Sequence, residues 1–172
     1  MLRPTCNGPP TIRFNSAGKI AQKPSRLKYS RADNRYVQAS LTPYLTFNGK
    51  AAEAMKFYQS VLGGELTMQT FAESKVAESP DQKDLIIHAT LKIEGLTFMA
   101  SDSMPNRPAR FGDNVHMSIS GGDSAWLTKV FNDLAKGGKV DMPLAKQFWG
   151  DTFGQLTDKF GIHWMVNITA QA

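Results

Sequence analysis

The sequence GGKVDMPLAKQFWGDTFGQLTDKFGIHWMVN, residues 137–167, carries the clearest fold information in the chain. It opens on a glycine pair, which suits the end of a helix. Short runs typical of strands follow at Lys139–Pro143, Gln155–Asp158 and His163–Thr169. Much of this order also occurs earlier in the chain, and an internal repeat of this kind indicates a duplicated module.

The first copy occupies about residues 41–103. Leu41–Gly49 is predicted as a strand that ends in a turn at Asn48-Gly49. Lys50–Leu62 is predicted as a helix that ends at Gly63-Gly64. Its apolar residues recur at helical spacing, which predicts a buried face made of Ala51, Ala54, Met55, Tyr58, Val61 and Leu62. Three more strands are predicted at Glu65–Phe71, Leu85–Ile93 and Leu96–Ser101. In Leu85–Ile93, Ile87, Ala89, Leu91 and Ile93 alternate with His88, Thr90 and Lys92.

The second copy occupies about residues 113–170. Asn114–Ser120 is its predicted first strand, and Asp123 suits the N-cap of the following helix. The predicted buried face of that helix is Leu127, Val130, Phe131 and Leu134. Gly137-Gly138 lies 74 positions after the first glycine pair, and Gly161–Met165 matches Gly95–Met99 at an offset of 66. The fold class predicted is therefore α+β, with two βαβββ modules that combine because one alone would leave a sheet face bare.

Composition bounds the class of protein. The 172 residues suffice for one domain, and 41% apolar content is ordinary for a globular chain. Cys6 is the only cysteine, so an intrachain disulfide and a cysteine-based metal cluster are both excluded. No apolar run approaches the roughly 18 residues of a membrane-spanning helix. Residues 1–36 carry a net charge of +7 and the remainder −2, so the body does not predict nucleic-acid binding.

Residues 1–38 lack hydrophobic periodicity, and we expect a basic, disordered N-terminal extension before a domain at residues 39–172. An extension without a specific role, an organelle transit peptide and an arm for nucleic acid or another acidic surface all stay open. Prolines at 4, 9 and 10 count against the amphipathic helix of a transit peptide. We expect a cytoplasmic location, with organelle targeting as the alternative.

The ordered segments PYLTFNGKAAEAMKFYQSVLGGE, FMASDSMP, GDNVHMSIS, GGKVDMPL, FWGD and LTDKFGIHWMVN resemble the PhnB-like branch of the vicinal oxygen chelate superfamily. That superfamily includes glyoxalase I, bleomycin-resistance proteins and extradiol dioxygenases. The resemblance covers about residues 41–169. It implies a cup-shaped mixed sheet built from the two modules, and a homodimer.

Metal-using relatives hold a divalent ion in the cup with two histidines and two glutamates. The resemblance carries these ligands onto Thr42 or Pro43, Met99, Asn114 and Met165. A thioether is a soft ligand and a poor substitute for a carboxylate around a hard cation. We therefore expect no cofactor and no inherited metal site, with Met99 and Met165 lining the cup as apolar residues.

Strand alternation places His88, His116 and His163 on the cup-facing phase. His116 and His163 could approach each other, because the first and last strands of a module are neighbours in this fold. These histidines are either polar pocket residues or ligands of a relocated metal. No carboxylate is obviously placed with them, although Asp102 ends a nearby strand.

Further cup-facing candidates follow from the same alternation. They are Tyr44, Thr46, Thr90, Ser101 and Asn167. Trp149 and Phe153 lie in a glycine-containing loop, where they either stack on a ligand or close the core. Arg107 and Arg110, between the modules, either attract an anionic ligand or are solvated charges of the connection.

These residues leave three functions open. A metal-free cup that binds a small molecule explains the missing ligand quartet. An enzyme that uses a relocated metal, or His116 as an acid or base, is the alternative. A methyltransferase ranks lowest, because no glycine-rich strand-to-helix loop is present to cradle a nucleotide-like cofactor.

Overall fold

The structure is a computed structural model of the chain, and it describes residues 40–170. The expectations for residues 1–38 lie outside the described part. Among the described helices, none has both the length and the apolar character needed to cross a membrane.

The first module has the predicted order of strand, helix and three strands. A short 3₁₀ turn, Pro80–Gln82, precedes its third strand. The elements are β1 (Tyr44–Phe47), α1 (Ala51–Leu62), β2 (Glu65–Thr70), β3 (Ile86–Ile93) and β4 (Leu96–Asp102).

The second module repeats that order. Its elements are β5 (Met117–Gly121), α2 (Ser124–Leu134), β6 (Lys139–Lys146), β7 (Thr152–Thr157) and β8 (His163–Ile168). Each module forms a four-stranded mixed sheet, ordered β1-β4-β3-β2 in the first and β5-β8-β7-β6 in the second. The first strand runs parallel to the last in each module, whereas the other pairings are antiparallel. The α+β class with two βαβββ modules is confirmed, although the two sheets do not join into one closed sheet.

Both helices bury the faces that the sequence pattern predicts. The buried residues of α1 and α2 are those predicted from the helical spacing. Gly63 ends α1 with a φ of 78°, a left-handed conformation that side chains disfavour. Asp123 caps α2 by accepting a hydrogen bond from the Trp126 amide at 3.0 Å.

The two modules share one hydrophobic core. Phe98 of β4 and Trp164 of β8 occupy matching positions of the repeat, and their ring centroids are 6.4 Å apart. Tyr58 of α1 contacts both rings, at centroid distances of 5.7 and 5.5 Å. Its hydroxyl donates to Asp158 at 2.7 Å, so a hydrogen bond as well as apolar packing joins the modules.

Asp158 is a buried hub for four donors. One carboxylate oxygen accepts the Tyr58 hydroxyl and the Trp164 indole N–H, at 2.7 and 2.8 Å. The other accepts the backbone amides of Phe160 and Ile162, at 2.8 and 3.0 Å. Burial first, and the adjacent Asp158 carboxylate second, raise the pKa of Tyr58 far above its usual range.

Several predicted strand boundaries were wrong. The first strand begins at Tyr44 rather than Leu41, although the Pro43 carbonyl still accepts the Met99 amide at 2.9 Å. The strand predicted as Asn114–Ser120 begins at Met117, which is where pairing with β8 begins. The strand predicted as Gln155–Asp158 is Thr152–Thr157, because Asp158 turns away to cap the next turn.

Bulges account for two more differences. The register of β2 and β3 shifts after the Gln69–His88 pair, so that Thr70 pairs with Ile86. Ile86 is therefore buried in the core, whereas Ile87, which shares the sequence alternation of Ala89 and Leu91, is half-buried. The strand predicted as Lys139–Pro143 extends to Lys146, and its register shifts accommodate Pro143 on an edge strand.

Candidate functional site

Each sheet has one face packed on the helices and one face turned away from them, which we call the open face. In β4, Phe98 and Ala100 are buried against the helices, whereas Met99 and Ser101 alternate with them on the open face. In β8, Trp164 and Val166 are buried, whereas the residues of the open face are half-buried. The predicted cup-facing residues of these strands therefore lie on the open faces.

On the open face of the first module, polar side chains bond to one another. Tyr44 pairs with Met99, and Thr46 pairs with Ser101, between the parallel strands β1 and β4. The Tyr44 hydroxyl lies 3.3 Å from His88 Nδ1, and Thr90 Oγ1 lies 3.1 Å from His88 Nε2. Both ring nitrogens of His88 are therefore engaged within this module.

The open face of the second module brings two histidines together. His116 directly precedes β5, and the centroid of its ring is 5.2 Å from that of His163 at the start of β8. His163 pairs with Thr157 across β7, and its Nδ1 lies 2.9 Å from Thr157 Oγ1. Thr157 in turn donates to Asp141 on β6 at 2.9 Å.

The opposite end of the same open face is aromatic. Phe153 pairs with Asn167, and the Phe153 ring centroid is 5.9 Å from that of Trp149. Trp149 is 50% exposed and so does not close the core. The Asn167 amide donates to Asp151 at 2.8 Å, and hydrogen bonds from Asn167 and the Ala170 amide lower the pKa of Asp151. Met165 lies between this end and the histidines.

Two predicted residues are placed elsewhere. Asn114 is exposed and precedes β5 by three positions, so it is not at the start of the strand. Asp102 is buried on the helix side, where its two oxygens accept the amides of Ala51 and Ile86 at 3.0 and 2.9 Å. Asp102 therefore anchors the start of α1 and does not accompany the histidines.

Three cavities of the described residues adjoin the junction of the modules, and two of them include predicted site residues. The larger, about 500 Å³, is mostly apolar and lies among the segment before β1, the β3–β4 hairpin and the start of β5. It includes His116 and Thr42. The smaller, about 270 Å³, is lined by Tyr44, Thr46, Arg110 and His163. The connection between modules thus brings Arg110 to the same cavity as three open-face residues, whereas Arg107 does not line it.

Sequence reasoning missed Asp141 and Thr157. Hydrogen bonds from Lys139 first, and from Thr157 second, lower the pKa of Asp141. The alternation in β7 could have placed Thr157 on the open face. The position of Asp141 depends on a bulge in β6, which the sequence pattern does not reveal.

The residues present do not fit the metal that the superfamily implies. Met99 and Met165 occupy the two carboxylate positions, and neither Thr42 nor Pro43 offers an imidazole. Within residues 40–170, no group of three or more His, Cys, Asp and Glu side chains is close enough to hold an ion. His116 and His163 are near each other, but no third residue of these types completes a set.

Comparison with known proteins places the chain in a family. The sequence profile described as 3-demethylubiquinone-9 3-methyltransferase matches residues 39–167. The chain belongs to this family, the PhnB-like branch of the vicinal oxygen chelate superfamily. Protein YjdN of Escherichia coli is 32% identical to this PhnB-like chain over 142 residues, which cover 76% of the chain and 96% of YjdN.

Solved structures agree with the assignment. Protein PA1353 from Pseudomonas aeruginosa superposes on this PhnB-like chain with a TM-score of 0.67 and 38% identity, covering 77% of the chain and 99% of PA1353. A PhnB protein from Bacillus cereus superposes with a TM-score of 0.65 and 30% identity, covering 76% and 100%. A glyoxalase/bleomycin resistance protein/dioxygenase domain from Frankia, at 15% identity, shares the fold with a TM-score of 0.56, covering 78% of the chain and 99% of that domain.

Proposed function

We propose that this PhnB-like chain binds a small molecule on the open faces of its modules, without the metal of its catalytic relatives. One observation carries the proposal: the open faces hold half-buried polar side chains around Met99 and Met165, whereas the opposite faces form the core. Apolar surface with a few placed polar groups is typical of small-molecule sites. Methionine adapts to irregular ligand shapes, and it does not supply the charge that a hard cation requires.

Native mass spectrometry of the purified protein, combined with elemental analysis, tests this proposal. We expect a bound organic species or none, and substoichiometric metal that is unaffected by His163→Ala. His88→Ala is the matched control, because both nitrogens of His88 are engaged inside its own module. One tightly bound ion per chain, lost in His116→Ala or His163→Ala but kept in His88→Ala, would contradict the metal-free site. The same spectra test the homodimer, which is also part of the proposal.

A second candidate is an enzyme that uses His116 as an acid or base. The 5.2 Å separation of the His116 and His163 rings favours it, because paired imidazoles can pass a proton at neutral pH. The test is turnover of any co-purifying ligand by wild type and by His116→Ala. Identical turnover would remove His116 from the reaction.

The family description names a methyltransferase, and this function has less support. The connection from β1 to α1 is Asn48-Gly49-Lys50, which has a single glycine and not the repeated glycines of a nucleotide cradle. Saturable binding of S-adenosylmethionine by calorimetry would reverse this ranking.

A further inference from the structure

A chain of hydrogen bonds leads from the edge of the second sheet to His163. Lys139 donates to Asp141 Oδ1 at 2.7 Å, and Thr157 Oγ1 donates to Asp141 Oδ2 at 2.9 Å. The same threonine oxygen lies 2.9 Å from His163 Nδ1. Three strands, β6, β7 and β8, therefore contribute to the surroundings of one imidazole nitrogen.

Asp141, the carboxylate in this series of hydrogen bonds, lies at a β-bulge. Val140 pairs with Leu156 and Met142 pairs with Gln155, so Asp141 is the extra residue between two consecutive pairs. Bulges redirect side chains and are frequent near functional sites.

The number of hydrogens available along this series of hydrogen bonds decides which nitrogen of His163 is protonated. Asp141 is ionised at neutral pH, because hydrogen bonds from Lys139 and Thr157 lower its pKa, and a carboxylate only accepts hydrogen bonds. The hydroxyl of Thr157 has one hydrogen, which it donates in the hydrogen bond to Asp141. The contact between Thr157 and Nδ1 is then a hydrogen bond only if Nδ1 is the donor. In neutral His163 this leaves Nε2 as a lone-pair acceptor.

The other two histidines differ from His163 in this respect. His88 has partners at both nitrogens, Tyr44 and Thr90. For His116, residues 40–170 provide no hydrogen-bond partner, so nothing described there fixes its tautomer. Within residues 40–170, the Nδ1 atom of His163 has a hydrogen-bond partner, Thr157, whereas its Nε2 atom has none. It also lines the cavity of about 270 Å³ with Tyr44, Thr46 and Arg110.

We infer that Thr157 and Asp141 are positioning residues that hold His163 in its Nδ1–H tautomer, so that Nε2 accepts a hydrogen bond from an O–H or N–H group of the ligand. The inference rests on the proposed small-molecule function for its ligand, but the tautomer is a property of the protein alone. Because Nε2 is then an acceptor, the expected ligand carries a hydrogen-bond donor, as a phenol or an alcohol does.

Long-range ¹H–¹⁵N correlation spectra of the uniformly labelled full chain, recorded at about pH 8.5, where free imidazole is neutral, test the tautomer. In wild type we expect Nδ1 protonated and Nε2 unprotonated at His163. Thr157→Val removes the hydroxyl with little change of shape, and it should raise the Nε2–H population. Thr157→Ser should restore the wild-type spectrum, and Thr152→Val on the same strand should leave it unchanged.

Asp141→Asn is a second, independent perturbation. Its amide can donate to Thr157, which frees the threonine hydrogen for Nδ1, so this variant should also raise the Nε2–H population. The inference is overturned if wild-type His163 is the Nε2–H tautomer. It is equally overturned if neither Thr157→Val nor Asp141→Asn changes the tautomer ratio.

Phenol and anisole separate the ligand class from general apolar binding, because only phenol donates a hydrogen bond. At millimolar concentration, phenol should shift the His163 Nε2 resonance of wild type several-fold more than anisole does. Equal shifts, or no shift with phenol, would overturn the donor assignment. A wild-type Nδ1–H tautomer together with a protein that binds no small molecule would instead reject the proposed function and leave the positioning roles intact.

Discussion

Replacing Tyr58 by Phe removes one hydroxyl from the core between the two modules. That hydroxyl donates to buried Asp158 at 2.7 Å, and a hydrogen bond to a charged acceptor contributes about 1.5–3 kcal/mol. The ring contacts with Phe98 and Trp164 are retained in the variant. Asp158 also keeps three other donors, so the larger cost of about 3–5 kcal/mol for an unpartnered buried charge does not apply. We therefore expect Tyr58→Phe to lower the free energy of unfolding by about 1.5–3 kcal/mol.

Urea denaturation followed by tryptophan fluorescence measures this loss. Tyr44→Phe is the matched control, since it deletes a hydroxyl from a side chain that is 49% exposed and 3.3 Å from its partner. We expect the control to change stability by less than about 0.5 kcal/mol. If both variants lose the same amount, or if Tyr58→Phe loses less than about 0.5 kcal/mol, the Asp158 hub does not stabilise the contact between modules as argued.

Three further outcomes follow from the described contacts. Gly154→Ala should lower the free energy of unfolding, measured by urea denaturation, by about 1–3 kcal/mol, because its Cβ would lie 2.8 Å from a Phe131 ring atom. Gly122→Ala is the control: its Cβ would meet no atom within 4 Å, so its stability should be nearly unchanged. Asp123→Ala should cost about 1 kcal/mol and lower the helical circular dichroism signal on heating, since it removes the N-cap of α2; an unchanged melting curve would rule out the cap as a stabiliser. The raised pKa of Tyr58 keeps its proton in the folded state after the unfolded chain begins to lose it near pH ~10. Above that pH, wild type should therefore lose up to ~1.4 kcal/mol more stability per pH unit than Tyr58→Phe, and parallel curves would contradict this.

The helices were the most predictable part of the fold. A 3.6-residue apolar period depends on local sequence, and the glycine pairs at 63–64 and 137–138 mark where each helix stops, so their buried faces followed directly. The repeat then fixed the order of the strands. Strand ends were less predictable, because pairing with a distant strand decides them. Met117 begins β5 since it is the first residue there to pair with β8.

In the candidate site too, some residues could be placed from local sequence pattern and others could not. Strand alternation was enough to place His116 and His163 on one face, where their rings are 5.2 Å apart. It could not find Asp141, because the bulge in β6 arises from tertiary pairing and not from local pattern. Alternation agrees with the buried position of Asp102 on β4, but its role at the start of α1 depends on a contact 51 positions away in the chain.

The two modules have diverged at their open faces in a way that bears on where a ligand binds. In the first module, Tyr44 and Thr90 engage both nitrogens of His88, so a ligand there would have to displace an existing bond. In the second module, Thr157 engages one nitrogen of His163 and thereby prepares the other as an acceptor. A preorganised acceptor costs less to use than one that must first lose a partner. The second module should therefore supply the polar recognition, and the first module the wall beside it.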